Sequence, residues 1–223
     1  MLTVHHLENS RSQRILWLLE EIGLDYAVER YERDPKTMLA PASLKKVHSL
    51  GRSPVITDGD EVIAETGAII DYLIEDKSDG ALSPERGTPA WRRYNHFLHY
   101  AEGSLMPLLV MKLITSVLGK KPTPLLFRPM GGLVGLGMQK QFIDPRIRQN
   151  LEYLDAQLGD ADWFVENRLT GADIMLSFPL EASKARGGLA QFPRLIAYVD
   201  RFQALPGYQR ALERGGPYAI LGG

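Results

Sequence analysis

The 223-residue chain is long enough to bury a sizeable core, as one large domain or two small ones. Its 26 basic and 27 acidic residues leave a formal net charge of −1, so no global field draws it to nucleic acid or to an anionic membrane, and a small-molecule ligand is the better expectation. It contains no cysteine, which excludes disulfides, thiolate zinc sites and a protein thiol nucleophile; any sulfur chemistry must arrive with a substrate.

Met1 to His6 runs straight into an apolar strand pattern, with neither a basic nor a long apolar segment ahead of it, so a cytoplasmic protein is expected. Leu2 to Leu7 reads as a strand. Ile15, Leu16, Leu18, Leu19 and Ile22 then recur at helical spacing up to Gly23, with Arg14, Glu20 and Glu21 assigned to the wet face. Tyr26 to Tyr31 alternates as a second strand, which makes the opening unit β-α-β with parallel strands. A helical stretch is expected around Met38 to Val47. Val55 to Thr57 and Glu61 to Ala64, joined at Asp58-Gly59, carry a hairpin signal, and Thr66 is placed to cap the helix that follows. These elements form a βαβαββα unit over residues 1–79.

Residues 80–88, with Gly80, Pro84 and Gly87, have a linker's composition, and residues 89–223 read as all-helical. Thr88-Pro89 opens a long helical pattern from Trp91 to Leu118, kinked at Pro107. Its most apolar stretch, Leu105 to Leu118, is too short to cross a membrane. Gly119 to Gly137, rich in glycine, proline and bulky apolar residues, is expected to wrap the surface or lid a cleft. Asp144 to Leu158 is a further helix. Thr170 with Asp173 matches a capping box, and Phe192-Pro193 and Leu205-Pro206 mark two more helix starts.

Four motifs in this order carry a resemblance: Ser10 and Arg14 at the first strand-helix junction, Gly51-Arg52-Ser53-Pro54 before the third strand, Glu65-Thr66 after the fourth, and Thr170-Gly171-Ala172-Asp173 in the helical half. The sequence is similar to the soluble glutathione transferases, of the serine type. The resemblance implies an α+β thioredoxin-like domain followed by an all-α domain, in an enzyme that stabilises the glutathione thiolate for attack on hydrophobic electrophiles. Detoxification is the implied role, with peroxidase activity on organic hydroperoxides implied beside it. The implied partners are glutathione as co-substrate, a hydrophobic electrophile and a second copy of the chain, with no other cofactor, no metal, no nucleic acid and no membrane. The alternative is a non-catalytic binding or regulatory module on the same fold.

Lowering a thiol pKa from about 8.5 to about 6.5 requires about 2.7 kcal/mol of differential stabilisation. One charge-assisted hydrogen bond at a helix N-terminus can supply that. Ser10 is the hydroxyl the resemblance assigns to this task, with Ser12 as the alternative; either could instead be an ordinary helix cap. The resemblance further implies a cis Ser53-Pro54 bond presenting the Ser53 backbone to the cysteinyl residue. It gives Glu65 and Thr66 to the γ-glutamyl end, Arg52 and Lys45 to the glycyl carboxylate, and Glu102 to a glutathione ammonium across a subunit boundary. Met106, Leu109, Val110, Leu113 and Phe127 are candidates for an apolar electrophile pocket or, equally, for core packing. His96, His99 and Glu102 are spaced three apart on one helix, a spacing that does not gather metal ligands. Gly132 to Gly137 lacks the glycine order and preceding strand of a nucleotide loop.

Overall fold

The computed structural model describes residues 1–219. Strand β1 (Leu2–Leu7) leads into helix α1 (Gln13–Ile22), which ends at Gly23 in the left-handed region, and the chain returns as β2 (Ala27–Tyr31). β1 and β2 pair in parallel, as the intervening crossover requires. After β2 the expected helix shrinks to a 3-10 turn over Ala42–Lys46. Met38 adopts a positive φ of 59°, and Pro41, without an N–H, stands directly before the turn. Strands β3 (Val55–Asp58) and β4 (Glu61–Ala64) form the antiparallel hairpin, giving the sheet order β2-β1-β3-β4. Helix α2 (Thr66–Asp71) follows and continues through a π-type turn to Asp76.

The remainder is helical: α3 (Pro89–Tyr100), α4 (Met106–Val117), α5 (Arg128–Met138), α6 (Asp144–Leu158), α7 (Gly171–Ala185), α8 (Pro193–Gln203) and α9 (Pro206–Gly215). This is an α+β, thioredoxin-like sheet unit followed by an all-helical unit. Thr88 caps α3 by accepting the Trp91 N–H at 3.1 Å, and the Thr170/Asp173 capping box is present in full. α3 and α4 are joined by a π-type turn, Ala101–Leu105, just ahead of Pro107. Among the described residues no helix is long and apolar enough to cross a membrane.

Gly119 to Gly137 is neither a wrap nor a lid. A short 3-10 turn, Leu125–Phe127, leads into α5, which lies against α4. The glycines serve that crossing: a Cβ on Gly131 would fall 2.4 Å from the Leu118 carbonyl oxygen, and one on Gly135 would fall 2.4 Å from that of Thr115. With the close face reserved for backbone, the bulky side chains of the hairpin point outward. Leu125, Leu126, Met130 and Leu133 are each about two-thirds or more exposed.

One apolar core runs through sheet unit and helical unit alike. At its centre Trp17 of α1 is fully buried, stacked on Phe202 of α8 at 5.2 Å and meeting Tyr208 of α9 edge-on at 5.5 Å. Each fully buried aliphatic side chain of α1 adds about 1.5–3 kcal/mol. Arg14 lies on this buried side rather than the wet one: its guanidinium donates to the Met175 carbonyl at 2.6 Å, to Thr66 Oγ1 at 3.2 Å and to Glu102. Four segments distant in sequence therefore meet on one cation.

Candidate active site

Between the sheet unit and the helical unit lie two adjoining cavities of about 740 and 500 Å³ that share Arg11, Leu50, Arg52 and Ser53 in their walls. They form one continuous cleft. Pro54, Glu65, Thr66 and Glu102 line the larger part; Ser10 and Lys45 line the smaller. Eight side chains named from the sequence are thus brought together from five separate stretches of chain.

Ser10 and Ser12 part company here. Ser12 is fully buried, lines neither cavity, and lies 2.8 Å from His6 Nδ1. Ser10 is nearly buried but forms part of the cleft wall, and its Oγ is 2.8 Å from Ser12 Oγ. Ser12 stands at the N-terminus of α1 without making a side-chain cap.

The Ser53-Pro54 peptide is cis. Ser53 Oγ donates to the His5 carbonyl at 2.9 Å and accepts the Leu7 N–H at 3.3 Å, so its side chain is committed to β1, and Ser53 lines both cavities. Glu65 holds a φ of 72°, a region that disfavours side chains, at the junction of β4 and α2. Strain of this kind concentrates where a fold needs a particular side-chain direction. Thr66, expected as the cap, is instead the first helical residue, and its hydroxyl accepts from buried Arg14. Glu102, assigned to a neighbouring subunit's ligand, is held within its own chain by Arg14 and by Arg11 Nε at 3.0 Å.

The apolar residues proposed for an electrophile pocket do not gather at the cleft. Met106 and Leu109 belong to the core, while Val110, Leu113 and Phe127 are exposed, and none of the five lines either cavity. The apolar wall is built from Leu39, Leu50, Leu98, Met175 and Phe178. Phe178 sits under two cations, with the Arg11 and Arg14 guanidinium carbons 5.6 and 5.7 Å from its ring centre. Arg33, also in the wall, braces the loop after β1 by donating to the Glu8 and Asn9 carbonyls. His99 and Asp71 face the larger cavity. Of these, Arg11 stands beside Ser10 and His99 three residues before Glu102 in the sequence; the rest have no local motif.

The charges of the wall are mixed: Arg11, Arg52 and Lys45 oppose Glu65, Asp71 and Glu102. Such a cleft suits a ligand carrying an ammonium and carboxylates on an extended backbone. Two buried carboxyls lie behind it. Burial raises Asp173 to about 6 against four donated hydrogen bonds, and raises Glu181 to about 7 against donors that include Tyr208, Gln203 and Tyr218.

Comparison with known proteins agrees with this geometry. Residues 1–75 match the family model for the N-terminal domain of glutathione S-transferases, and residues 137–214 match one for the C-terminal domain. The chain is 31% identical over 193 residues to glutathione S-transferase 3 of Schizosaccharomyces pombe, covering 86% of this chain and 78% of that protein. It is 27% identical over 226 residues to glutathione S-transferase 1 of Saccharomyces cerevisiae, covering 98% and 93%. A crystal structure of a glutathione S-transferase from Actinobacillus pleuropneumoniae superposes with a TM-score of 0.77 at 32% identity, covering 99% of this chain and 95% of that one. A sphingomonad glutathione S-transferase solved with glutathione shares the fold, with a TM-score of 0.72 at 21% identity over 96% of this chain and 98% of that one. With both domain models matched and these relatives spanning most of its length, the chain belongs to the glutathione S-transferase family of enzymes.

Proposed function

We propose that this glutathione transferase binds glutathione along the cleft and stabilises its thiolate through the Ser10 hydroxyl for transfer to hydrophobic electrophiles. The observation that carries the choice of residue is that Ser10 lines the cleft while Ser12 is sealed behind it. In this reading the Ser53 backbone pairs with the cysteinyl residue as an added strand would. Glu65 takes the γ-glutamyl ammonium, and Thr66 lies beside its carboxylate. Arg52 and Lys45 face the glycyl carboxylate. Glutathione enters as co-substrate, and the reaction draws on no other cofactor. Organic hydroperoxides are a second substrate class, since the same thiolate attacks the peroxide oxygen.

Ser10→Ala is expected to lower turnover with a chlorinated nitrobenzene and with an organic hydroperoxide by about ten- to a hundredfold, the worth of one hydrogen bond to a developing anion. Glutathione affinity should be little changed, because the backbone and charged contacts remain. Undiminished turnover would remove Ser10 from the mechanism. The exposed apolar face of α4 and α5 supports a homodimer, to be checked by sedimentation equilibrium.

A further inference from the structure

The near-neutral total charge conceals a segregation along the chain. From Gly103 to Ile143 the sequence carries Lys112, Lys120, Lys121, Arg128 and Lys140 and neither aspartate nor glutamate, so the remainder is net acidic. Lys112 is neutralised by Asp144 at 2.8 Å. Among the described residues the other four cations meet no carboxylate within ion-pair distance, and Lys120, Lys121 and Lys140 are exposed.

Three of these four stand at one end of the hairpin made by α4 and α5. The two arms touch at Gly119, where a Cβ would fall 3.1 Å from Gly132 Cα, and residues 120–131 form the tip beyond that contact. Leu125 is 75% exposed, Leu126 83%, Phe127 57% and Met130 67%. Holding such a cluster in water costs free energy that burial would recover. The backbone of the tip is already suited to a less polar medium. Pro122, Pro124 and Pro129 carry no N–H, and the N–H groups of Thr123, Phe127 and Arg128 are bonded to the Lys120, Pro124 and Leu125 carbonyls, so few donors would be stripped of water. Arg128 Nε, donating to the Thr123 carbonyl at 2.9 Å, ties the loop together.

Charge decides which partner suits this tip. A second copy seated tip to tip would set Lys120, Lys121 and Arg128 against the same cations, with no carboxylate in the segment to offset them. Lysine is also depleted from protein interfaces. A bilayer with anionic headgroups instead offers phosphates to the cations and hydrocarbon to the leucines within one shallow layer. We propose that the hairpin tip, residues 120–131, docks on an anionic lipid surface. Leu125, Leu126, Phe127 and Met130 enter the interface, and Lys120, Lys121 and Arg128 meet the headgroups. The attachment is peripheral, it was implied neither by the net charge nor by the family resemblance, and it is independent of which hydroxyl meets the sulfur.

The test is co-sedimentation of the full chain with phosphatidylcholine vesicles made with and without phosphatidylserine. The wild type should bind the phosphatidylserine vesicles, leave them as salt is raised, and bind phosphatidylcholine alone at least about tenfold more weakly. Each cation near an anionic surface is worth about fivefold, so Lys120→Glu with Lys121→Glu should weaken binding at least about twentyfold. Leu125→Ser with Leu126→Ser should weaken it about tenfold through lost apolar burial. Both double variants should keep the wild-type melting temperature and turnover with a chlorinated nitrobenzene in solution, because these residues line neither cavity and are exposed. Absence of wild-type binding to the phosphatidylserine vesicles overturns the proposal, as does binding that survives in both variants. If the variants instead lose self-association in sedimentation equilibrium while vesicle binding persists, the tip is a contact between copies and the lipid assignment fails.

Discussion

Replacing Glu102 by glutamine isolates what the Arg14 cation contributes to stability. The Arg14 side chain is 1% exposed and has three acceptors, of which only Glu102 is an anion. Its Nε has no hydrogen-bond partner among the described residues. Burial pulls the Arg14 pKa down and Glu102 pulls it back up. Removing one partner of a fully buried pair costs about 3–5 kcal/mol. Because the Glu102 side chain is 33% exposed, solvent screens part of the interaction, and about 2–3 kcal/mol is expected. For a chain of this size that lowers the melting temperature by about 5–10 °C. Calorimetry and urea unfolding measure it, with the midpoint shifted and the slope unchanged. Arg14→Met should cost less than E102Q, since Glu102 keeps Arg11 at 3.0 Å. The double variant should be less destabilised than the sum of the two. A loss under about 0.5 kcal/mol for E102Q, or strict additivity, would refute the view that this pair holds sheet and helices together.

Asp173→Ala removes the acceptor for the Phe164 and Thr170 N–H groups, bonded at 3.2 and 2.8 Å, and for the Tyr198 hydroxyl at 3.0 Å. A loss of about 2–4 kcal/mol is expected in urea unfolding. Glu181, whose pKa burial raises from the ordinary 4.5 to about 7, binds its proton more tightly in the folded state. Its share of stability is full below the lower value and is lost as pH rises through the higher, so Glu181→Gln should flatten the fall in melting temperature between those limits. Gly135→Ala would push a Cβ to 2.4 Å from the Thr115 carbonyl oxygen and should destabilise by about 1–3 kcal/mol, read as a lower unfolding midpoint.

Where a residue's role was set by its neighbours in sequence, the sequence was enough. The Thr170/Asp173 box, the proline-led starts of α8 and α9, the hairpin and the parallel β1/β2 pair all rest on contacts within a few residues or on a short crossover. Arg14 was misplaced because periodicity assigns a charge to solvent unless its partner is in view, and Glu102 lies 88 residues away. The glycines of α5 argue against a helix by intrinsic propensity, yet tertiary contact with α4 requires them. Ser10, Arg52, Ser53, Pro54, Glu65 and Thr66 stood in ordered motifs and all line the cleft. Phe178 and Met175 reach the cleft from the otherwise buried α7, and no spacing along that helix separates a wall residue from a core residue.

The π-type turn at Ala101–Leu105 sets the rotational phase of everything beyond it. Each residue of an α-helix advances the side chains by about 100° around the axis, and a π-type turn accommodates one more residue than an α turn in the same rise. Deleting a single residue there would leave α4 in phase as a plain α-helix, whereas running all the same residues in α form would swing α4 by about a quarter of a revolution. Leu108 and Leu109 would leave the core, and the outward-facing Leu113 and Val117 would turn toward other surroundings. Glu102 sits within the turn itself. The segment therefore works as a phase adjuster, letting one continuous rod offer a carboxylate to the cleft at one level and an apolar stripe to the core at the next.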